Sequence, residues 1–445
     1  MFKNKGIKKF ISMVLFSAIT NMAFSGEVKY LNNRAIKVLN GTGEQKKSID
    51  TLDKGTRVEI LEEGENYVKI RYKKDLKVKE GWIPNKDLVD DLVTTLPQHW
   101  SKLDFNKQEK VEEYPQNEKV EVKGIYVSLH SAASTKKLEK LIDLTKRTEI
   151  NAFVIDVKDD LGTLLFKMDG MEKYNPDANK GTPLRDIENF MRKMKENNIY
   201  TIARIVSFKD PSYSKHNKNA AIIDKQTGQP FTNKDGVIWV SPHDRHLWEY
   251  NIAVAKKAAE VGFNEIQFDY VRFPASNGGK LDARLDYRSK TKESKPETIQ
   301  NYLKYARKEL SPLGVYISAD VYGQVGTFPD DMALGQHWET VSNVVDYISP
   351  MKYPSHYGNG AYGIAVPDAQ PYKTIYKSTR DSVNRNNNIE NPAIIRPWIQ
   401  AFTAQWVKGH IKYGPNEIQQ QIQAMKDLGV KEYLLWSPSN NYNIK

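Results

Sequence analysis

From Lys123 to the end of the chain, short apolar runs of β character alternate eight times with stretches long enough for a helix, and few folds accommodate that rhythm. The runs are Gly124–Ser128, Ala152–Lys158, Thr201–Ser207, Glu265–Val271, Val315–Val321, Asp346–Lys352, Ile394–Gln400 and Glu432–Ser437. Helical patterns lie between them, among others Leu138–Arg147, Ile187–Glu196, Leu247–Val261 and Ile418–Leu428. Repeated βα units make a parallel sheet, and eight of them suit a closed (β/α)8 barrel of the TIM type. An open doubly wound sheet would call for a glycine-rich phosphate turn after the first run. "VSLHSAAS" is not such a turn.

Side chains alternate faces along a strand, so each run divides into an outer set that meets helices and an inner set. In the fourth run Ile266 and Phe268 fall outside, while Gln267 and Asp269 fall inside. In the fifth, Val315, Ile317, Ala319 and Val321 are outer; Tyr316, Ser318 and Asp320 are inner. The second run turns Asp156 and Lys158 inward, and the seventh turns Arg396, Trp398 and Gln400 inward. The polar inner residues gather late in their strands, at the mouth where barrel enzymes build their sites. Burying carboxylates there costs several kcal/mol each unless they are paired. A structural ion-pair ring, Asp156 with Lys158 or Asp269 with Arg204, is the competing explanation.

The first part of the chain is different. Lys3, Lys5, Lys8 and Lys9 precede an apolar run from Phe10 to Ile19, and Ala23-Phe24-Ser25 supplies small residues at a cleavage spacing. Residues 1–25 therefore read as a signal peptide, with an uncleaved anchor as the alternative, and the protein is expected to be secreted or associated with the cell envelope, with no mature transmembrane segment. Removing that leader takes four lysines and no acid from a net charge of +11. The remaining basic excess is spread along the chain rather than gathered as a nucleic-acid footprint. The absence of cysteine excludes disulfides, thiolate metal sites and a cysteine nucleophile. Residues 27–90 show period-two alternation in Arg57–Leu61 and Tyr67–Arg71. Residues 91–122, charged and aperiodic, read as a linker before a domain spanning 123–445.

Two resemblances sharpen this. "LDKGTRVEILEEGENYVKIRY" followed by "EGWIPNKDLV" resembles the bacterial SH3 family, which implies a small β-barrel that often binds cell wall. "GFNEIQFDYVRFP", "VYISADVYG", "VDYISPMKYPSHY" and "RPWIQAF" resemble a bacterial glycosyl hydrolase domain with a (β/α)8 fold, over residues 123–445. The layout is also similar to amylase-like and α-galactosidase-like barrels, which carry a nucleophilic Asp at the end of the fourth strand. Carried over, the resemblance implies Asp269 as nucleophile and Asp320 as acid/base; amylase-like barrels place Glu on the fifth strand, and here it is Asp.

Glycoside cleavage needs two carboxyl groups flanking the bond. Arg204 or Arg272 is expected to keep Asp269 ionised, and Tyr316 and Tyr322 to hold a proton on Asp320. Asp159, Asp160 and Asp210 compete as acids, Asp210 equally as a loop-shaping residue. Aromatic residues at strand ends, Trp239, Tyr270, Tyr322, Tyr353, Tyr357, Trp398 and Trp436, are placed to stack on sugar faces. His356, in the loop after the sixth run, could meet a hydroxyl or only its own loop. Substrate contacts are thus expected from Asp156, Lys158, Arg204, Asp210, Tyr270, Arg272, Tyr322, Tyr353, His356, Trp398, Gln400 and Trp436, with no cofactor. Adjacent parallel strands about 4.8 Å apart would set the two carboxyl groups roughly 5–6 Å apart, the spacing of a retaining enzyme. A non-catalytic carbohydrate- or wall-binding protein and a metal-dependent polysaccharide deacetylase are the alternatives. The second would need clustered ligands, and the eight histidines are scattered. A serine hydrolase would need a G-x-S-x-G elbow, which is missing.

Overall fold

Lys123 on the first barrel strand pairs in parallel with Tyr433 on the last, and this contact closes the sheet into a ring. The computed structural model describes residues 26–444, so the leader expected at residues 1–25 lies outside the described residues. The barrel strands are Lys123–Val127, Ala152–Lys158, Tyr200–Val206, Glu265–Asp269, Tyr316–Tyr322, Tyr347–Met351, a seventh in two pieces (Ile394–Ile395 and Trp398–Gln400), and Tyr433–Trp436. The seventh breaks around Pro397, which has no N–H for the ladder and whose carbonyl still accepts from Leu434 N. Eight parallel strands with helices outside make the expected closed barrel.

The main outer helices are Thr135–Arg147, Ile187–Glu196, Arg245–Glu260, Lys295–Leu310, Pro371–Asn386 and Pro415–Lys426. Several starts are written in side chains. Asp186 and Asp244 accept from backbone N–H groups of the first turn, and Ser294 forms a capping box with Glu297. Each such cap is worth about 1 kcal/mol. Ile155, Val157, Ala203, Ile205, Ile266, Phe268, Ile317 and Ala319 pack outward into one core with the helices. Val154, Ile202, Tyr316, Tyr347, Trp398 and Leu434 form a second core inside the ring. The two clusters follow the expected alternation.

One strand departs from it. The ladder between the second and third strands slips after Arg204–Asp156, so that Ile205 faces Lys158 instead of Val157. The bulge turns Lys158 out of the barrel. Its ammonium meets Asp210 at 2.6 Å and Asn251 at 2.8 Å, over the Tyr250 ring, with both charged side chains fully buried.

Residues 28–89 form a seven-stranded antiparallel sheet around Leu31, Val38, Val58, Ile70, Tyr72 and Ile83. The segment that follows is not a free linker. Asp104 exchanges backbone hydrogen bonds with the Gln300 side chain and pairs with Lys304. Lys110 donates to the carbonyls of Ser342 and Asn391, and Asn117 to those of Asn264 and Gly314. Tyr114 and Val122 join the inner core, where the Tyr316 hydroxyl donates to Asn117 O. This strap seals the end of the barrel opposite the mouth. It makes only two short 3-10 helices, turns and extended stretches, so it has no period to betray it.

Candidate active site

The fourth strand ends at Asp269, and the residue after it, Tyr270, has a left-handed backbone (φ 47°). A bulky residue in that conformation costs about 1–3 kcal/mol and persists where the surroundings enforce it. The turn aims the Tyr270 N–H at Asp269 Oδ1, 2.5 Å away. Asp269 Oδ2 accepts from Arg204 Nε at 2.9 Å and from Nη2 at 2.6 Å. The same guanidinium donates through Nη1 to Asp156 Oδ1 at 2.5 Å, and the Tyr126 hydroxyl donates to Asp156 Oδ2. Arg204 therefore bridges two carboxylates from neighbouring strands, all of it buried. Asp269 pairs with Arg204 as one sequence alternative held; Asp156 pairs with Arg204, not with Lys158.

Asp320, on the fifth strand, is differently housed. Its Oδ1 accepts from Trp398 Nε1 at 2.8 Å, while Oδ2 is buried with no hydrogen-bond partner. Burial, and next the charge of Asp269, hold its carboxyl well above the usual range. The expected helpers do not act: Tyr316 sits at the far end of the barrel against Tyr114, and Tyr322 reaches outward, 36% exposed. Gln336, which the sequence did not single out, clips the two strand ends together by donating to Val271 O and Asp320 O and accepting from Tyr322 N.

Beside Asp269 opens a cavity of about 260 Å³ lined by Arg204, Asp269, Tyr270, Tyr322, Tyr353, His356 and Trp436 among others, with Asp320 buried behind the lining. Gly323 and Met351 also line it, and the close approach there requires glycine: a Cβ on Gly323 would lie 2.1 Å from Met351 O. Trp436, which lines the cavity with Tyr353, also packs on the rings of Tyr126 and Trp398 behind the lining, with Trp436 and Tyr126 4.2 Å apart. Tyr126 shares its strand phase with Gly124 and belongs to the inner core.

Several expected contacts lie elsewhere. Lys158 and Asp210 form a buried pair on the helix side, and Asp210 also caps the helix Pro211–His216 through Tyr213 N. Gln400 accepts from Ser355 N and donates to Asp368 and Phe402 O, so it braces the loops after the sixth and seventh strands instead of facing the cavity. Trp398 and Asp156 stand behind the lining, one on Asp320 and one on Arg204. Arg272 makes no bond to Asp269; its guanidinium lies over the rings of Trp239 and Tyr270 and donates to Phe273 O. Asp159 accepts from Leu161 N and Thr163 N and shapes its loop, and Asp160 meets Lys209.

The sequence has a counterpart among known families. The family described as "Putative glycosyl hydrolase domain" matches residues 124–442, most of the chain. The chain belongs to that family. No curated protein matches it. Among solved structures, a hypothetical protein from Ruminiclostridium thermocellum is 33% identical over 44% of this chain and 97% of its own, with a TM-score of 0.38. The PgaB (BpsB) glycoside hydrolase domain from Bordetella bronchiseptica is 13% identical, covers 72% of this chain and 94% of its own, and has a TM-score of 0.50. An α-galactosidase from Thermus thermophilus is 10% identical over 93% and 88%, at 0.46. At 13% identity the Bordetella domain shows likeness of fold alone. The expected glycosyl hydrolase barrel is thus confirmed at the level of family and fold.

Proposed function

We propose that this protein is an exported, retaining glycoside hydrolase that acts on a cell-wall or surface polysaccharide, with Asp269 as nucleophile and Asp320 as acid/base. The observation that carries the reading is the contrast between two carboxyl groups at one barrel mouth. Asp269 accepts three hydrogen bonds, two of them from a guanidinium, whereas Asp320 is buried, raised in pKa and has one oxygen with no partner. Environments that separate two acids in this way assign the base or nucleophile to one and the proton donor to the other. Asp320 then gives its proton to the leaving oxygen while Asp269 attacks the anomeric carbon; water, deprotonated by Asp320, releases the glycosyl–Asp269 ester. Arg204 keeps the Asp269 carboxylate oriented, and Trp398 fixes the Asp320 carboxyl.

The remaining parts of the reading rest on sequence. The basic and apolar leader supports export, and the likeness of residues 27–90 to the bacterial SH3 family supports attachment to wall. The experiment is to incubate the protein with wall and surface glycans, profile released sugars, and follow the anomer of the first product by NMR. A retained anomer, and turnover lowered at least about a hundredfold in Asp269→Asn with the fold intact, are expected. An inverted anomer, or near-native activity in Asp269→Asn, would overturn the assignment.

A further inference from the structure

The loop that follows the seventh strand holds a feature the catalytic reading leaves unused. Trp406 is 69% exposed, the most exposed of the large apolar side chains described. Its ring stacks on Phe402 with centroids 5.9 Å apart and planes at 22°. A single exposed aromatic residue needs no explanation by itself, but this one is neither isolated nor on a loose segment. The loop is tied down by Ala401 N on Trp436 O, Gln400 Nε2 on Phe402 O, Tyr413 N on Thr403 Oγ1 and Ile411 N on Asp368 Oδ2. Ala404, midway between the two in sequence, is fully buried.

The pair is also continuous with the cavity. His356 lines the cavity, and its ring lies 6.4 Å from that of Trp406. Tyr353, another lining residue, is 6.2 Å from Phe402 and 6.5 Å from Trp436. Rings therefore run unbroken from the wall beside the carboxyl groups, past His356, out to an exposed indole. Sugars present one apolar face of C–H groups that stacks on such rings, and Trp supplies the largest and most rigid one. A ligand confined to the cavity would leave Trp406 in water; a chain leaving the cavity on this side would cover it.

We propose that Phe402 and Trp406 form an outer sugar-stacking platform, so that the site takes a glycan chain that continues beyond the cavity rather than a single terminal sugar. This rests on the glycosidase reading above and extends that site outward, to sugar units beyond the cavity on the side of His356. Gln400 has a positioning part in it, because its side chain joins Phe402 O to the Ser355 backbone beside His356.

The test is calorimetric titration with soluble ladders of one to six sugars, made of β-linked N-acetylglucosamine, β-linked glucose or α-linked galacturonate, comparing the protein with Trp406→Ala and Trp406→Phe. For a ladder that binds, affinity should rise with chain length. In Trp406→Ala the ratio of long-chain to short-chain affinity should fall about tenfold or more, equivalent to about 1.4 kcal/mol. Trp406→Phe should restore most of it. An unchanged ratio in Trp406→Ala, or no binding of any ladder, overturns the platform. Failure of the hydrolase reading looks different: chains would bind in a Trp406-dependent way but release no sugar.

Discussion

Trp398 Nε1 donates to Asp320 Oδ1 at 2.8 Å, and the opposite oxygen of that carboxyl meets nothing in the protein. Such a setting favours the protonated form of the acid and leaves that oxygen without a hydrogen-bond partner in the protein. Burial and the Asp269 charge raise its pKa in the folded state, so folding favours the protonated form. Its contribution to stability is complete below the unfolded pKa and is lost as pH rises through the folded one. We expect the alkaline limb of the pH–activity profile to follow Asp320. Asp320→Asn should lower turnover by about 10²–10⁴-fold, flatten the alkaline decline in stability, and spare substrates whose leaving group needs no proton. Kinetics on aryl glycosides of graded leaving-group acidity, with melts across pH, would check all three.

Arg204 holds two carboxylates with one planar group, a task a point charge cannot repeat. Arg204→Met should lose about 3–5 kcal/mol in urea denaturation, because it leaves Asp156 and Asp269 buried without a counter-charge. Arg204→Lys should recover part of the stability and little of the activity. Equal activity in Arg204→Lys would show that the fork is not needed.

The Lys158–Asp210 pair gives the opposite pattern. Either Lys158→Met or Asp210→Leu alone should cost about 3–5 kcal/mol, since each strands a fully buried partner charge. The double variant should be more stable than the sum of the two losses implies. KM should stay near the native value in the variants that fold, because neither side chain lines the cavity. A selective rise in KM would return these two residues to the site.

The strap makes a prediction about truncation. Deleting residues 26–96 removes the antiparallel sheet and should leave a folded, active barrel. Deleting 26–121 also removes Asp104, Lys110, Tyr114 and Asn117 and exposes Tyr316 at the barrel floor. Thermal melts should show a clear loss of stability for the longer deletion alone.

Much of this was legible from alternation. The outward and inward sets of the fourth and fifth strands follow the pleat, and the phase alone puts Asp269 and Asp320 on the inner face of adjacent strands. Lys158 was misread because a bulge depends on the register of two strands, which one strand's pattern does not contain. The partner of Asp320 was hidden for a similar reason: Trp398 is 78 residues away in sequence. Arg272 looked like a counter-ion because it stands three residues from Asp269, yet the left-handed turn at Tyr270 points it elsewhere. Phe402 and Trp406 sit on an irregular loop, where no period announces which side chains face the mouth.

The strap also bears on the order in which the chain can assemble. It is made before every barrel strand, yet its partners come late: Asn117 waits for Asn264, Tyr114 for Tyr316 and Lys110 for Asn391, separations of 147, 202 and 281 residues. Contacts that distant form slowly, since the intervening loop must close before they reward it. The floor of the barrel is therefore set only after the sixth strand is in place. Until then Tyr316 and the neighbouring inner rings stand open to water. The oldest stretch of barrel-bound chain must therefore wait for most of the barrel before it can take its seat.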